Sequence, residues 1–154
     1  MGGRPETIIK VYVDTNVLVN YITGQDADVK ALDYIFTKRR RETLFTSSLA
    51  LVQTITQLQK GNRKNGRKPF DSDKAGHAIA DLKKRITVLD LTEADIDNGM
   101  LEQGRDLEDS IHYVLSQKAG CSAVLTNNLG DFSCFKKVRK LDPANFGTIK
   151  QRIK

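Results

Sequence analysis

Short apolar runs alternate with amphipathic segments along most of the chain. The apolar runs predict strands at residues 7–13, 44–46, 86–91, 123–125 and 138–141. Between them, apolar residues recur at helical spacing and predict helices at 16–22, from a cap at Asp26 to 41, and at 48–60, 71–82, 92–104 and 106–118. Strands separated by helices need crossover connections. The pattern therefore predicts an α/β fold in three layers, with a central, mostly parallel sheet of about five strands and helices on both faces.

Length and composition favour one domain over residues 1–154, because 154 residues with 39% hydrophobic content suffice for one buried core. Residues 1–6 are interpreted as a loose tail. No apolar run of eighteen residues and no cleavable leader is found, so we expect a cytoplasmic protein without a membrane span. Cys121 and Cys134 are too few for a disulfide scaffold and are expected to be buried thiols.

The basic residues are concentrated in four clusters, and the formal net charge is +6. The clusters are residues 38–41, 60–68, 83–85 and 136–140. Taken singly, each is typical of a solvated helix end. Together they indicate a polyanionic partner, because lysine and arginine gain affinity by releasing counterions from phosphates. Residues 61–70 are predicted to be an exposed, mobile basic loop, with a contact to nucleic acid through Arg63, Lys64, Arg67 and Lys68 as the functional alternative.

The most informative stretch is residues 11–19, Val-Tyr-Val-Asp-Thr-Asn-Val-Leu-Val. Here a buried strand turns into a helix, and Asp14, Thr15 and Asn16 occupy the change of direction. Asp14 or Asn16 can cap the helix by accepting its unpaired amide protons. Alternatively, Asp14 is a metal ligand at the carboxyl end of a central strand, where open α/β sheets place their sites. Residues 11–19 alone leave both interpretations open.

Two further aspartates are predicted at the same edge of the sheet. Asp109 lies in the first turn of the helix before the fourth strand, and Asp131 follows that strand; Asp106 shares a helix face with Asp109. Each acid alone could be a cap or turn residue. Jointly they place like charge in one cleft, which a hard cation such as Mg²⁺ or Mn²⁺ would neutralise. Such a centre suits phosphodiester hydrolysis, with basic residues around the rim holding the strand.

The two histidines are not needed for such chemistry. His77 and His112 each stand alone on a predicted helix, so we expect surface or packing roles for both.

The ordered combination of three motifs resembles the PIN-domain family, in particular the ribonuclease toxins of bacterial toxin–antitoxin pairs. The motifs are residues 11–19, Asp-Leu-Glu-Asp-Ser-Ile-His-Tyr at 106–113, and Val-Leu-Thr-Asn-Asn-Leu-Gly-Asp-Phe at 124–132. The resemblance covers most of the chain. It implies a PIN-like fold, Asp14, Asp109 and Asp131 as metal ligands with catalytic roles, and support from Asn16 and Thr126. It also implies an antitoxin partner and a homodimer.

This chain departs from the family pattern at one acid. The family usually carries a glutamate five or six residues after its serine, where this chain has Gln53 after Ser47 and Ser48. Gln53 can bind a coordinated water but brings no charge, so we expect weaker metal affinity unless Asp106 compensates. Asn127 stands where many relatives have an arginine, which removes a phosphate contact.

Two functions remain open at this point. The first is a Mg²⁺- or Mn²⁺-dependent endoribonuclease, and the alternative is a catalytically weakened PIN fold that binds RNA or a protein partner. A small-molecule phosphatase is disfavoured, because Asp14 is followed by Thr15 and Asn16 and not by a second aspartate after one residue.

Overall fold

A five-stranded sheet in which all strands run parallel forms the centre of the protein. The computed structural model describes residues 9–24, 29–102, 104, 106–144 and 146. The strands, in chain order, are β1 (Val11–Val13), β2 (Leu44–Ser47), β3 (Thr87–Leu89), β4 (Ala123–Leu125) and β5 (Arg139–Leu141). Their order across the sheet is β3-β2-β1-β4-β5, and each neighbouring pair is parallel. The predicted central sheet of about five strands is confirmed.

The central strand β1 contributes side chains to a separate apolar core on each face of the sheet. Val11 and Val13 pack in the core that contains Leu18, Leu32 and Ile35. Tyr12 points the opposite way, into a second core. Because successive residues of a strand face opposite sides, these two cores produce the predicted three layers.

Within the described residues, six α-helices cover the two faces of the sheet. They are α1 (Thr15–Thr23), α2 (Val29–Lys38), α3 (Ser48–Lys60), α4 (Ser72–Lys83), α5 (Glu93–Leu101) and α6 (Leu107–Lys118), with 3-10 turns at Arg41–Thr43 and Leu129–Phe132. Gly24 ends α1 in the left-handed conformation with φ 65°. Asp26 and residues 1–6 lie outside the described residues.

The structure corrects the predicted helices in three places. Helix α2 ends at Lys38, earlier than the predicted 41. Helix α5 ends at Leu101, earlier than the predicted 104. On α3, Val52 belongs to the apolar repeat of the sequence but is 61% exposed, whereas Thr54 is fully buried. Thr54 tolerates burial because its hydroxyl donates to the carbonyl of Ala50 at 2.7 Å.

The basic loop is exposed, as predicted, and it is held by local hydrogen bonds. The backbones of Asn62 and Arg67 donate to each other at 2.9 Å in both directions. The Arg67 guanidinium also donates to the carbonyl of Gln57 at 3.0 Å. These contacts connect the loop to the last turn of α3.

Three of the four basic clusters lie at the amino edge of the sheet, the edge from which the strands start. Residues 38–41 precede β2, residues 83–85 precede β3, and residues 136–140 lead into β5. In a sheet whose strands are all parallel, these positions are opposite to the carboxyl edge, where Asp14 follows β1. The expectation that all four clusters surround the acidic centre is therefore wrong.

The two cysteines have different environments. Cys121 is buried, and burial raises the pKa of its thiol to about 12. Cys134 is exposed, so the expectation of two buried thiols is wrong for this residue.

No helix within the described residues has the length and apolar character that a membrane span requires.

Candidate active site

Asp14 lies at the junction of β1 and α1 and both of its carboxylate oxygens are hydrogen-bonded. Its backbone N–H extends the strand pairing to the carbonyl of Leu125 at 2.9 Å. One oxygen, Oδ1, accepts from the N–H of Thr15 at 2.8 Å, and the other accepts from the Thr126 hydroxyl at 2.9 Å. The side chain is 7% exposed. The capping interpretation of Asp14 is therefore confirmed, and capping leaves the carboxylate beside an open cavity.

The cavity lies at the carboxyl edge of the sheet and has a volume of about 430 Å³. It is lined from three directions: by the β1–α1 junction, by one face of α3 and by the first turns of α6. The lining residues are Asp14, Thr15, Asn16, Val52, Gln53, Thr56, Gln57, Glu108, Asp109, His112 and Asn128. Because parallel strands end at the same edge, residues separated by about ninety positions along the chain meet here.

Asp109 carries the strongest electrostatic signature in this cavity. Its pKa is raised to about 7, first by burial and then by the charges of four neighbouring carboxylates, those of Asp106, Asp131, Asp14 and Glu108. No hydrogen bond from another described residue reaches its carboxylate. The charge on the Asp109 carboxylate is therefore not offset by a hydrogen bond from the described residues.

The structure brings some of the predicted site residues into the cavity and leaves others outside it. Asp14, Asn16, Gln53 and Asp109 line it, and Thr126 is fully buried directly behind Asp14. Asp131 is exposed in the 3-10 turn after β4; it is not part of the lining, although its charge acts on Asp109.

Asp106 is the N-cap of α6. Its Oδ1 accepts from the N–H groups of Glu108 at 2.8 Å and Asp109 at 3.3 Å. This carboxylate serves the helix terminus and does not line the cavity.

Gln53 connects three sides of the cavity through its amide group. Its Oε1 accepts from the Thr15 hydroxyl at 2.7 Å and pairs with Nε2 of His112 at 2.9 Å. Its Nε2 donates to Glu108 at 2.8 Å. Both ends of the amide are thus engaged with protein groups.

His112 is a buried member of this network. It is 2% exposed, and burial lowers its pKa, so the ring is neutral near pH 7. Because Oε1 of Gln53 can only accept, Nε2 of His112 must carry the proton and donate. The other nitrogen, Nδ1, then accepts from the Tyr12 hydroxyl at 2.7 Å, which in turn accepts from Ser47 at 2.8 Å.

The burial of His112 excludes a surface role and agrees with the packing role, although its hydrogen bonds were not predicted; His77 is exposed, as expected. Sequence reasoning also passed over Tyr12, Glu108 and Asn128. A signal for His112 existed in its position three residues after Asp109, on the same helix face. Its partners are 59 and 100 positions away, so neighbouring residues could not indicate them.

The basic loop adjoins this cavity through one residue. Gln57 lines the cavity and accepts from Arg67 through its carbonyl. Arg63, Lys64 and Lys68 are exposed on the same loop and do not line the cavity themselves.

The chemistry of the donor set fits a hard divalent cation. Asp14, Glu108 and Asp109 present carboxylate oxygens to one cavity, and their like charge is what a cation would offset. In the described part of the chain, no group of three histidine, cysteine, aspartate or glutamate side chains is arranged to hold a metal ion. Mg²⁺ needs no such cage, because it keeps several waters and is bound through one or two carboxylates together with substrate phosphates.

Comparisons with known proteins agree with this architecture. Ribonuclease VapC1 of Aquifex aeolicus (strain VF5) is 26% identical over 136 residues, which are 80% of this chain and 85% of that protein. Among solved structures, VapC20 of Mycobacterium tuberculosis, a Sarcin-Ricin loop cleaving toxin, has a TM-score of 0.62 at 20% identity and covers 84% of this chain and 97% of its own. A toxin–antitoxin complex from Klebsiella pneumoniae has a TM-score of 0.63 at 12% identity, covering 87% and 98% respectively.

These solved structures share the fold, and the sequence match to the PIN domain extends over residues 11–141. That range contains all five strands, all six helices and the cavity. The chain therefore belongs to the PIN domain family.

Proposed function

We propose that this protein is a Mg²⁺- or Mn²⁺-dependent endoribonuclease of the toxin type, which hydrolyses RNA phosphodiester bonds at the cavity between α3 and α6. The observation that carries the proposal is the convergence of Asp14, Glu108 and Asp109 on one cavity, where burial and neighbouring carboxylates raise the pKa of Asp109. Strongly perturbed acids in a cleft are typical of functional sites. The likeness to a ribonuclease over 80% of the chain supports the same reaction class.

In this proposal Asp14 and Asp109 hold the cation and Asp131 contributes from the margin of the cavity. When bound, the cation polarises a phosphate oxygen and lowers the pKa of a bound water. The protein fixes Asp14 through the N–H of Thr15 and the hydroxyl of Thr126, so that its carboxylate keeps one orientation. The amides of Asn16 and Asn128 line the same cavity and supply hydrogen bonds to the phosphate or ribose.

The basic loop is proposed to hold the RNA backbone through Arg63, Lys64, Arg67 and Lys68. The hydrogen bond of Arg67 to the carbonyl of Gln57 supports this assignment, because it keeps the loop beside the cavity. Exposed lysine and arginine side chains gain affinity for RNA by releasing counterions.

We further propose an antitoxin partner and a homodimer, acting in the cytoplasm. Support comes from large apolar side chains at the α5–α6 connection that remain exposed: Met100 at 58%, Leu101 at 80% and Leu107 at 50%. Such exposure is typical of surfaces that a protein partner covers. The similar solved structures include a toxin–antitoxin complex and a DNA-bound VapBC from Salmonella typhimurium.

An alternative is a PIN fold with weakened catalysis that binds RNA or a protein. Gln53 favours this alternative, because an amide replaces a carboxylate that the family usually supplies. The two functions differ in whether divalent metal binds and whether RNA is cut.

The test is an RNA cleavage assay with Mn²⁺ on a panel of diverse RNAs, comparing the wild type with Asp14→Asn. Asparagine can still cap α1, so we expect the fold to persist while the cleavage rate falls by about 100-fold or more. Asp97→Asn is the matched control, because Asp97 is an exposed aspartate on α5, away from the cavity. Thermal melts confirm that each variant is folded.

The proposal fails if the wild type leaves every RNA intact and Asp14→Asn behaves identically. RNA binding without Mn²⁺ binding, measured by fluorescence anisotropy and calorimetry, would establish the alternative in its place.

A further inference from the structure

The amide of Gln53 has a fixed orientation, because each of its two ends faces partners of one kind. A carboxylate can only accept, so the amide nitrogen must face Glu108, at 2.8 Å. The Thr15 hydroxyl lies 2.7 Å from the amide oxygen and donates to it. The amide oxygen of Gln53 is therefore already engaged as a hydrogen-bond acceptor. The amide nitrogen cannot bind a cation.

The carboxylate that Gln53 reaches belongs to Glu108, which lines the same cavity as Asp14 and Asp109. The hydrogen bond engages Oε2 of Glu108. Among the described residues, no donor reaches its other oxygen, Oε1, which is thus available to a ligand. Glu108 is exposed, and Gln53 is the described residue that restrains its side chain.

Asp106 is the other candidate for a compensating charge, and its carboxylate is already used. It accepts from the N–H groups of the first turn of α6 and lies outside the cavity lining. Moving it into the cavity would leave those N–H groups without their cap.

The neutral amide of Gln53 donates a hydrogen bond to the negatively charged carboxylate of Glu108. Two carboxylates at this separation would repel each other, whereas an amide and a carboxylate attract. The pair carries one negative charge whichever of the two positions holds the acid. The glutamate at position 108 therefore explains why position 53 carries a neutral glutamine and not a second acid.

We propose that Glu108 supplies the cavity charge that Gln53 lacks, and that Gln53 is the residue that positions the Glu108 carboxylate. This inference rests on the proposed function, because it assigns a further acid to the same divalent-cation site.

The experiment measures Mn²⁺ affinity by calorimetry and the melting temperature with and without Mn²⁺, for the wild type and four variants. Glu108→Gln keeps a hydrogen-bond acceptor for Gln53 and removes the charge, so we expect Mn²⁺ affinity to fall about tenfold. Its metal-free melting temperature should not decrease, because a repelling charge is gone, and its stabilisation by Mn²⁺ should shrink.

The exchange variant Gln53→Glu/Glu108→Gln restores the carboxylate at the other end of the same hydrogen bond. We expect its Mn²⁺ affinity to return to within about threefold of the wild type, the range that one altered hydrogen bond accounts for. Gln53→Met removes the restraint without removing charge and should weaken Mn²⁺ binding by roughly threefold to tenfold.

Glu93→Gln is the matched control, because Glu93 is an exposed glutamate in the first turn of α5 that does not line the cavity. It should bind Mn²⁺ like the wild type. Wild-type affinity in Glu108→Gln, or no recovery in the exchange variant, would overturn the inference while leaving the proposed function intact. A wild-type protein that neither binds Mn²⁺ nor cuts RNA would instead overturn the proposed function, and this inference with it.

Discussion

Helices α5 and α6 each carry an aspartate as their third residue, and the pKa values of these two aspartates are shifted in opposite directions. Asp95 of α5 is 5% exposed, and burial alone would raise its pKa. Hydrogen bonds from Thr92 and Lys118 outweigh burial, and the net pKa is lowered. Asp109 of α6 has its pKa raised to about 7 by burial and neighbouring carboxylates.

The difference comes from the partners, since the two positions relative to the helix are the same. Asp95 completes a capping box, accepting from the N–H of Thr92 at 2.9 Å, and it pairs with the Lys118 ammonium at 3.0 Å. In α6 the N-cap Asp106 receives the helix N–H groups, which leaves Asp109 free to face the cavity. Asp95 stabilises the fold at neutral pH, whereas the charged form of Asp109 destabilises it.

The largest expected effect is that of Asp109→Asn. RNA cleavage should fall by about 100-fold or more, while the metal-free protein melts about 2 °C higher, because a repelled charge is removed and solvent screening limits the gain. Between pH 4 and 7 the carboxyl group of Asp109 holds its proton more tightly in the folded state than in the unfolded chain. The contribution of Asp109 to wild-type stability therefore falls as the pH rises. The increase in melting temperature caused by Asp109→Asn should thus be greatest above pH 7 and vanish near pH 4.

The measurement is a series of thermal melts of wild type and variant across that pH range, in a buffer that contains a metal chelator. Asp73→Asn is the control, an exposed aspartate in the first turn of α4, and it should show little change at any pH. A lower melting temperature for Asp109→Asn would remove the proposed contrast between the two helices.

Asp95→Asn should have the opposite effect on stability and leave cleavage unchanged. We expect a loss of roughly 1 kcal/mol in the free energy of unfolding, because the capping box and the pairing with Lys118 are weakened. A lowered pKa stabilises the fold above the unfolded value of about 4, and this stabilisation disappears as the pH falls through the folded value. Denaturant unfolding at pH 7 and pH 3 measures this stabilisation. The difference in the free energy of unfolding between wild type and variant should be smaller at pH 3.

Much of the fold could be predicted because its periodicity is local. The strand at 123–125 matches β4, and α5 begins within one residue of the predicted 92, with Thr92 and Asp95 forming a capping box. The end of α5 could not be predicted from local periodicity. Gly99 packs so closely on α6 that a Cβ there would lie 2.6 Å from Cγ1 of Ile111, a constraint that no neighbouring residue reveals.

Two of the acids that line the cavity, Asp14 and Asp109, could be predicted at one edge of the sheet, because Asp14 follows β1 and Asp109 lies in the first turn of the helix before β4. The partners of His112 and Gln53 could not, because their hydrogen bonds join β1, α1, α3 and α6 across 38 to 100 positions. The basic clusters were a different kind of error. Two of them lie shortly before β2 and β3, and a third leads into β5, which in a parallel sheet already places them opposite the acids.

The smallest expected effect is that of Lys118→Met, which removes the cation from Asp95 and retains the Thr92 capping box. The hydrogen bond from the Thr92 backbone is the largest single cause that lowers the pKa of Asp95, and it remains in the variant, so the variant should lose only about 0.5 kcal/mol. The Lys118 side chain is 41% exposed, which further limits the strength of its ion pair. Carbon-detected NMR titration should show the Asp95 pKa moving towards its ordinary value and staying well below that of Asp109. If it instead rose to meet Asp109, the cation and not the cap would distinguish the two helices.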